Sequence, residues 1–98
     1  MRKVTEQAVN AFLLNKPFNG DNTTVERSRL GATLYLHGNL IASKDLDSKH
    51  IQITNAGWFS NTTKERLNGL PGVSIQQKKG VWYLNGKEWD GKLINVSI

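Results

Sequence analysis

Residues 55–68 read Asn-Ala-Gly-Trp-Phe-Ser-Asn-Thr-Thr-Lys-Glu-Arg-Leu-Asn, and this stretch joins strand-like sequence to helix-like sequence. Asn55 and Gly57 are typical turn residues. Thr62, followed three residues later by Glu65, matches a capping box, in which each side chain accepts from the backbone N–H of the other residue. The stretch therefore predicts a turn and then a short helix that begins at Thr62.

Upstream of this stretch, residues 5–15 have the pattern of a first helix. Thr5 is a good N-cap, and Val9 and Phe12 recur at helical spacing. Pro17 follows directly after Lys16, and a residue before proline avoids helical geometry. We therefore predict an N-terminal helix that packs one apolar face on the core.

The remaining sequence is typical of strands and hairpins. Two hairpin loops are predicted, at Gly38-Asn39 and at Asn85-Gly86, because these pairs suit the positive φ angles of two-residue loops. The first loop would place Tyr35 opposite Ala42, and the second would place Trp82 opposite Trp89. Strands are expected at residues 23–29 (an edge strand), 32–37, 40–42, 51–54, 73–76, 81–84 and 94–98, with turns at 19–22 and 78–80 and a polar loop at 45–49.

These elements predict an α+β fold in a single domain spanning residues 1–98. The expected architecture is a mostly antiparallel sheet of about five to six strands, with an N-terminal helix and a short central helix. The connections are too short for repeated parallel crossovers. A chain of 98 residues with 38% hydrophobic residues is long enough to bury one modest core.

Composition limits the classes of function. The chain has no cysteine, which excludes disulfides, thiolate metal sites and cysteine nucleophiles. We expect no membrane association, because no apolar run reaches the ~18 residues of a membrane helix. The N-terminus has no apolar block typical of a signal peptide, so a cytoplasmic location is expected. The net charge of +5 favours acidic proteins or phosphate backbones as partners.

Residues with catalytic or metal-binding chemistry are sparse. His37 and His50 have no partner at metal-ligand spacing, and the loop with Asp45 and Asp47 lacks the glycine and final glutamate of a calcium loop. No phosphate-binding glycine loop and no nucleophile motif occurs. We therefore expect no catalytic residues, no metal and no cofactor, and hence no enzyme activity.

Binding residues are better represented than catalytic ones. Bases and aromatic side chains together suit single-stranded nucleic acid or a protein partner. The candidate partner-binding residues are Lys64, Arg66, Asn68, Lys78, Lys79, Tyr83 and Tyr35. An alternative explanation is structural: Arg66 can pair with a nearby acid, Asn68 can bond the backbone at the helix end, and Phe12, Phe18 and Trp58 are expected in the core.

The central motif also resembles a family of small tailed-bacteriophage proteins of unknown function. The resemblance rests on Gly57-Trp58, Thr62-Thr63-x-x-Arg66-Leu67-Asn68, Tyr35-Leu36-x-Gly38-Asn39-x-Ile41-Ala42 and Trp82-Tyr83-Leu84-Asn85-Gly86, and covers most of residues 31–92. It implies a phage origin and action inside an infected bacterial host. It carries over no catalytic residues.

Three functions remain open from the sequence. The first is a non-catalytic protein that docks on a host or defence protein, or on its nucleic-acid complex. The second is direct DNA or RNA binding through Lys64, Arg66, Lys78, Lys79 and Tyr83, which salt dependence would reveal. The third, a small nuclease or hydrolase, is disfavoured because no nucleophile, base or metal set is recognisable.

Overall fold

The computed structural model describes residues 2–45 and 50–97. The helices are α1 (Lys3–Leu13) and α2 (Asn61–Asn68). The strands are β1 (Phe18–Gly20), β2 (Thr23–Arg27), β3 (Gly31–Leu36), β4 (Asn39–Asp45), β5 (His50–Ile53), β6 (Ile75–Lys78), β7 (Val81–Leu84), β8 (Lys87–Glu88) and β9 (Ile94–Ser97).

The strands form two antiparallel sheets. The larger sheet has six strands in the order β1-β2-β3-β4-β5-β9, and the smaller has three in the order β6-β7-β8. The first five strands of the large sheet follow the chain, whereas β9 returns beside β5 after α2 and the small sheet. The predicted α+β architecture with two helices and a mostly antiparallel sheet is confirmed.

One face of the large sheet carries the core. Alternate residues of a strand point to opposite faces, and the buried set on β2 to β5 includes Val25, Leu34, Ala42 and Ile51. Helix α1 packs against β1, β2 and β3 and contributes Phe12 and its buried neighbours. The opposite face, which carries residues such as Tyr35 and Gln52, has no helix on it among the described residues.

Both helix starts differ from the sequence prediction. Helix α1 begins at Lys3 with Arg2 at its N-cap, so Thr5 lies inside the helix and is buried. Helix α2 is capped by Ser60, whose Oγ accepts from the Thr63 N–H at 3.1 Å. The predicted capping box of Thr62 and Glu65 is wrong, because the Glu65 carboxylate accepts instead from the Thr5 hydroxyl of α1.

The first predicted hairpin loop is off by one residue. The loop is His37-Gly38, with φ angles of 51° and 78°, and Leu36 pairs with Asn39. Tyr35 therefore lies opposite Leu40 rather than Ala42, and a bulge at Ile41 of β4 then places Leu34 opposite Ala42. The prediction failed because glycine at the second loop position meets the same need for a positive φ as glycine at the first.

The hairpin at Asn85-Gly86 is confirmed. These residues have φ angles of 50° and 87°, and Leu84 pairs with Lys87. The backbone N–H of Trp89 donates to the backbone carbonyl of Trp82 at 2.9 Å. Both indoles are buried, with ring centroids 6.2 Å apart, so the predicted cross-strand pair forms part of the core.

The edge of the large sheet was assigned to the wrong strand. Strand β2 was the predicted edge, but β1 pairs outside it through Phe18 and Val25. The turn predicted at 19–22 is reduced to Asp21 and Asn22, which have positive φ angles. Most of the predicted polar loop at 45–49 and the last residue of the predicted final strand, residue 98, lie outside the described residues.

Candidate docking surface around Trp58

The segment between β5 and α2, residues 54–60, is called here the aromatic loop. Its start is fixed by hydrogen bonds to a distant part of the chain. The Thr54 hydroxyl donates to the Gly91 carbonyl at 2.7 Å, and the Asn55 N–H donates to the same carbonyl at 3.0 Å. The Ala56 N–H donates to the Thr54 Oγ1 at 3.1 Å. The loop is therefore anchored before it reaches Trp58.

The aromatic loop then turns tightly at Ala56 and Gly57. The Trp58 N–H donates to the Asn55 carbonyl at 2.8 Å, and the Gly57 N–H donates to the Asn55 Oδ1 at 2.8 Å. Ala56 and Gly57 have φ angles of 54° and 84°. The left-handed conformation costs an alanine about 1–2 kcal/mol, so the fold holds Ala56 in a strained position.

The two aromatic residues of the loop are exposed. Trp58 is 59% exposed and Phe59 is 56% exposed. The Phe59 ring meets Trp82 edge-to-face, with centroids 5.2 Å apart. The prediction that Trp58 lies in the core is wrong, because Trp82 fills the space beneath the loop and the Asn55 turn keeps the chain at the surface. The predicted burial of Phe12 is confirmed, and Phe18 is half-buried against the core.

A groove of about 380 Å³ lies beside the loop. It runs from the β3–β4 hairpin to the start of α2, and its lining includes Leu36, His37, Ile41, Asn55, Trp58 and Thr62. Grooves of this size with apolar walls and a few polar groups are common binding sites. The arrangement can accept an apolar side chain of a partner beside the exposed indole.

Two buried nitrogens beneath the aromatic loop lack hydrogen-bond partners within the described residues. They are Nδ2 of Asn55 and Nε1 of Trp82. An unpaired buried donor costs about 1–3 kcal/mol. Together with the strained Ala56, they make the local structure of the aromatic loop energetically unfavourable.

Arg66 does not reach the surface. Its side chain is 1% exposed and donates to Thr23 Oγ1 at 3.0 Å and to Thr5 Oγ1 at 2.9 Å. It also forms ion pairs with Asp21, at 3.4 Å, and with Glu65. The structure therefore removes Arg66 from the predicted partner-binding set, and the alternative of pairing with nearby acids holds.

Asn68 is also occupied within the fold. Its Nδ2 donates to the Ile75 carbonyl at 3.1 Å, and its Oδ1 accepts from the Ile75 N–H at 2.6 Å. This pair of bonds joins the end of α2 to the first strand of the small sheet. The side chain thus holds α2 and β6 in place, and its polar atoms are not presented to a partner.

The other predicted site residues lie on different surfaces. Lys64 Nζ donates to Gln77 at 2.8 Å and lies 5.9 Å from the centroid of the Trp82 ring. Gln77 pairs with the buried Trp82, whereas Tyr83 pairs with Gln76 on the opposite face of the small sheet. Lys64 and Tyr83 are therefore not parts of one binding face.

The remaining three predicted residues lie in two separate places. Lys78 and Lys79 are exposed at the β6–β7 turn, and Tyr35 is half-buried on the open face of the large sheet. The structure does not bring the seven predicted residues together. Residues 58–68 were considered as a docking region, but Trp58 and Phe59 were not among the predicted site residues, although two consecutive aromatics directly after a Gly57 turn were a usable signal.

Within residues 2–45 and 50–97, no cluster of three or more His, Asp or Glu side chains has a metal-binding arrangement. In the same ranges, neither helix has the length and apolar character needed to cross a membrane.

Comparison with known protein families supplies the origin of the chain. The Kyanoviridae Gp96 protein family matches residues 1–95. The chain belongs to this family. The Kyanoviridae Gp96 family is a family of tailed-phage (cyanophage) proteins, so the resemblance to small tailed-phage proteins inferred from the motifs is confirmed. No curated protein and no solved structure matches the chain.

Proposed function

We propose that this phage protein is a non-catalytic binding protein that docks on an acidic host or defence protein through the aromatic loop and its groove. The observation that carries the proposal is the pair of consecutive, exposed aromatic residues, Trp58 and Phe59, beside an apolar groove. Exposed apolar surface of this kind marks interaction sites, and tryptophan is enriched among the residues that dominate binding energy.

Preorganisation supports the role of Trp58 as an anchor. The hydrogen bonds of Thr54 and Asn55 to Gly91 fix the loop before the turn, and the Ser60 cap fixes it after the turn. Phe59 rests against Trp82 and so braces the neighbouring residue. A partner that binds an already ordered loop avoids most of the entropy cost of ordering it.

The unfavourable local structure of the aromatic loop also supports its role in binding. Strained backbone and unpaired buried groups persist where function requires them more than stability does. Here the left-handed Ala56 and the unpaired nitrogens of Asn55 and Trp82 all lie in or under the aromatic loop. An aliphatic residue at a positive φ is costly, whereas asparagine and histidine tolerate it better.

Charge supports an acidic partner. The chain carries a net charge of +5, and α2 has no acidic residue in its first turn. Thr62 and Thr63, from that first turn, line the groove. The positive end of a helix dipole favours nearby negative charge. A partner segment with an apolar side chain and a neighbouring Asp or Glu fits this arrangement.

The test is affinity capture from nuclease-treated lysate of the phage host, with the purified chain, Trp58→Ala and Leu30→Ala as baits. Leu30 is a matched control, because it is also a large exposed apolar residue and precedes β3, whereas the groove lies at the far end of that strand. Binding of the captured protein is then measured with purified components over a salt series.

The expected result is one protein retained by the wild-type chain and by Leu30→Ala, with at least tenfold weaker binding to Trp58→Ala. Equal binding by Trp58→Ala would place the docking surface elsewhere. If no protein is retained, and mobility-shift assays at low salt show DNA or RNA binding, the direct nucleic-acid function replaces this proposal.

A further inference from the structure

Strand β9 is an open edge of the large sheet. In the part of the chain that the structure describes, its single neighbour is β5. Residues 93–97, Leu-Ile-Asn-Val-Ser, contain no charge, proline or glycine. Sheet edges are usually protected by such residues or by being very short. The other edge, β1, has three residues and follows Pro17, so β9 is the less protected edge.

The hydrogen-bond pattern identifies which backbone groups of β9 are free. Thr54, directly after β5, lies opposite Ile41 of β4, and its N–H donates to the Ile41 carbonyl at 2.9 Å. Thr54 and Ile41 therefore form a hydrogen-bonded pair. Hydrogen-bonded and non-bonded pairs alternate along an antiparallel ladder. The next residue, Ile53, therefore directs its N–H and C=O toward β9, where its partner Ile94 directs the same groups back to β5. The N–H and C=O of the following residue, Asn95, point away from the sheet.

A groove of about 440 Å³ lies along this edge. Its apolar lining includes Leu84, Trp89, Ile94 and Val96, and Gly72 lies at one end. A Cβ at Gly72 would be 2.4 Å from the Ser97 carbonyl oxygen, so Gly72 covers the edge at Ser97, and the part of the edge open to a partner is at Asn95. Ile94 faces the core side but remains 42% exposed, which leaves room for a further apolar side chain.

We propose that β9 pairs antiparallel with β9 of a second copy of this chain, with Asn95 opposite Asn95 at the two-fold axis. The pairing would join two large sheets into one continuous sheet and satisfy the outward N–H and C=O of Asn95. The core-side residues of the partner's strand would enter the groove beside Ile94. A two-fold interface uses the same patch on both subunits.

Strand β9 is complementary to its own edge and groove, so a second copy of the chain is the partner that fits. Strand β9 has the alternation that the edge and groove require, with apolar Ile94 and Val96 toward the core side and polar Asn95 and Ser97 toward solvent. Two chains of net charge +5 repel each other, but β9 itself brings no charged side chain to the contact, and the charged residues of the groove lining, Lys87 and Glu88, have opposite signs. A strand-edge contact this short is below the roughly 800 Å² per partner of stable interfaces, so micromolar association is expected.

The absence of cysteine makes a direct test simple. Asn95→Cys places the thiols opposite each other in the proposed dimer, within the Cα separation of about 4.4–6.8 Å that a disulfide requires. Gln52→Cys is the matched control, because Gln52 is the exposed partner of Asn95 on β5. Two copies of residue 52 would be three strand spacings apart, roughly 14 Å, which is too far for a disulfide.

The expected result is a covalent dimer of Asn95→Cys under mild oxidation and a monomer of Gln52→Cys. Sedimentation velocity should also show wild-type mass rising above the 11.0 kDa of one chain as concentration increases. Asn95→Lys should weaken association by about tenfold, because like charges would face each other, while Gln52→Lys should not. Circular dichroism establishes that the variants are folded.

Three results would overturn the proposal. One is a wild-type chain that remains a monomer at about 500 μM, well above a micromolar Kd. Another is equal disulfide formation at positions 95 and 52. The third is equal association of Asn95→Lys and the wild-type chain, which would place any dimer interface away from β9.

Discussion

The guanidinium Nε of Arg66 donates to the hydroxyl of Thr23 at 3.0 Å, across 43 residues of sequence. This bond joins α2 to β2, which is the second strand from the β1 edge of the large sheet. Arg66 also binds Thr5 of α1, so one side chain connects three elements. A buried charge of this kind is stable only while its partners remain in place.

Arg66→Ala should destabilise the fold by about 1–3 kcal/mol, because it leaves the buried hydroxyls of Thr5 and Thr23 without their donor and removes the guanidinium beside the Glu65 carboxylate. Urea denaturation measures the loss. Arg2→Ala is the control, since the Arg2–Asp21 ion pair is half-exposed and should contribute at most about 1 kcal/mol. Equal stability of the two variants would contradict a structural role for Arg66.

Asn68→Ala should cost about 1–3 kcal/mol, because both backbone groups of Ile75 lose a hydrogen bond. Asn61→Ala, at the exposed first residue of the same helix, should change stability by less than about 0.5 kcal/mol. Thermal unfolding followed by circular dichroism compares them. If both changes had the same small effect, the Asn68–Ile75 contact would not hold α2 to β6.

Ala56→Gly should stabilise the protein by about 1 kcal/mol, raising the Tm by roughly 4–8 °C, because glycine adopts a φ of 54° without strain. Gly57→Ala, in the same turn at a φ of 84°, should shift the Tm in the opposite direction. Calorimetry measures the Tm of each variant and so shows whether it rises or falls relative to the wild-type chain. A lower Tm for Ala56→Gly would mean that Ala56 is not strained.

Iodide should quench the fluorescence of the native protein almost entirely through Trp58, because Trp82 and Trp89 are 1% and 7% exposed. Trp58→Phe should therefore remove most of the quenchable emission, whereas Trp89→Phe should leave it. The replacement of Trp58 should change stability by less than about 0.5 kcal/mol, as expected for an exposed residue outside the core. Persistent quenching in Trp58→Phe would indicate that another indole is exposed.

The parts of the fold that local chemistry specifies were predictable. The Asn85-Gly86 loop was located correctly because its two residues suit positive φ angles regardless of what surrounds them. The existence of both helices followed from apolar spacing and breaker residues, although their caps did not. Ser60 rather than Thr62 caps α2, because Glu65 is drawn to Thr5, which is 60 residues away.

The candidate site was only partly predictable. Residues 55–68 were recognised as the distinctive stretch, yet the sequence left Arg66 open between partner binding and a structural ion pair, and it favoured the core for Trp58. Sequence patterns rank residue types by average burial, and by that ranking an arginine is exposed and a tryptophan is buried. Long-range partners decided both positions: Asp21, Thr5 and Thr23 enclose Arg66, and Trp82 occupies the space beneath the aromatic loop.

The sequence by itself determined the α+β class, the hairpin at Asn85-Gly86 and the family to which the chain belongs, because these depend on local residue order. Tertiary structure alone decided which basic and aromatic side chains are accessible, and which strand is left as the open edge. Those properties depend on contacts between residues tens of positions apart, and the free energy of such contacts is set by packing rather than by neighbouring residues in the chain.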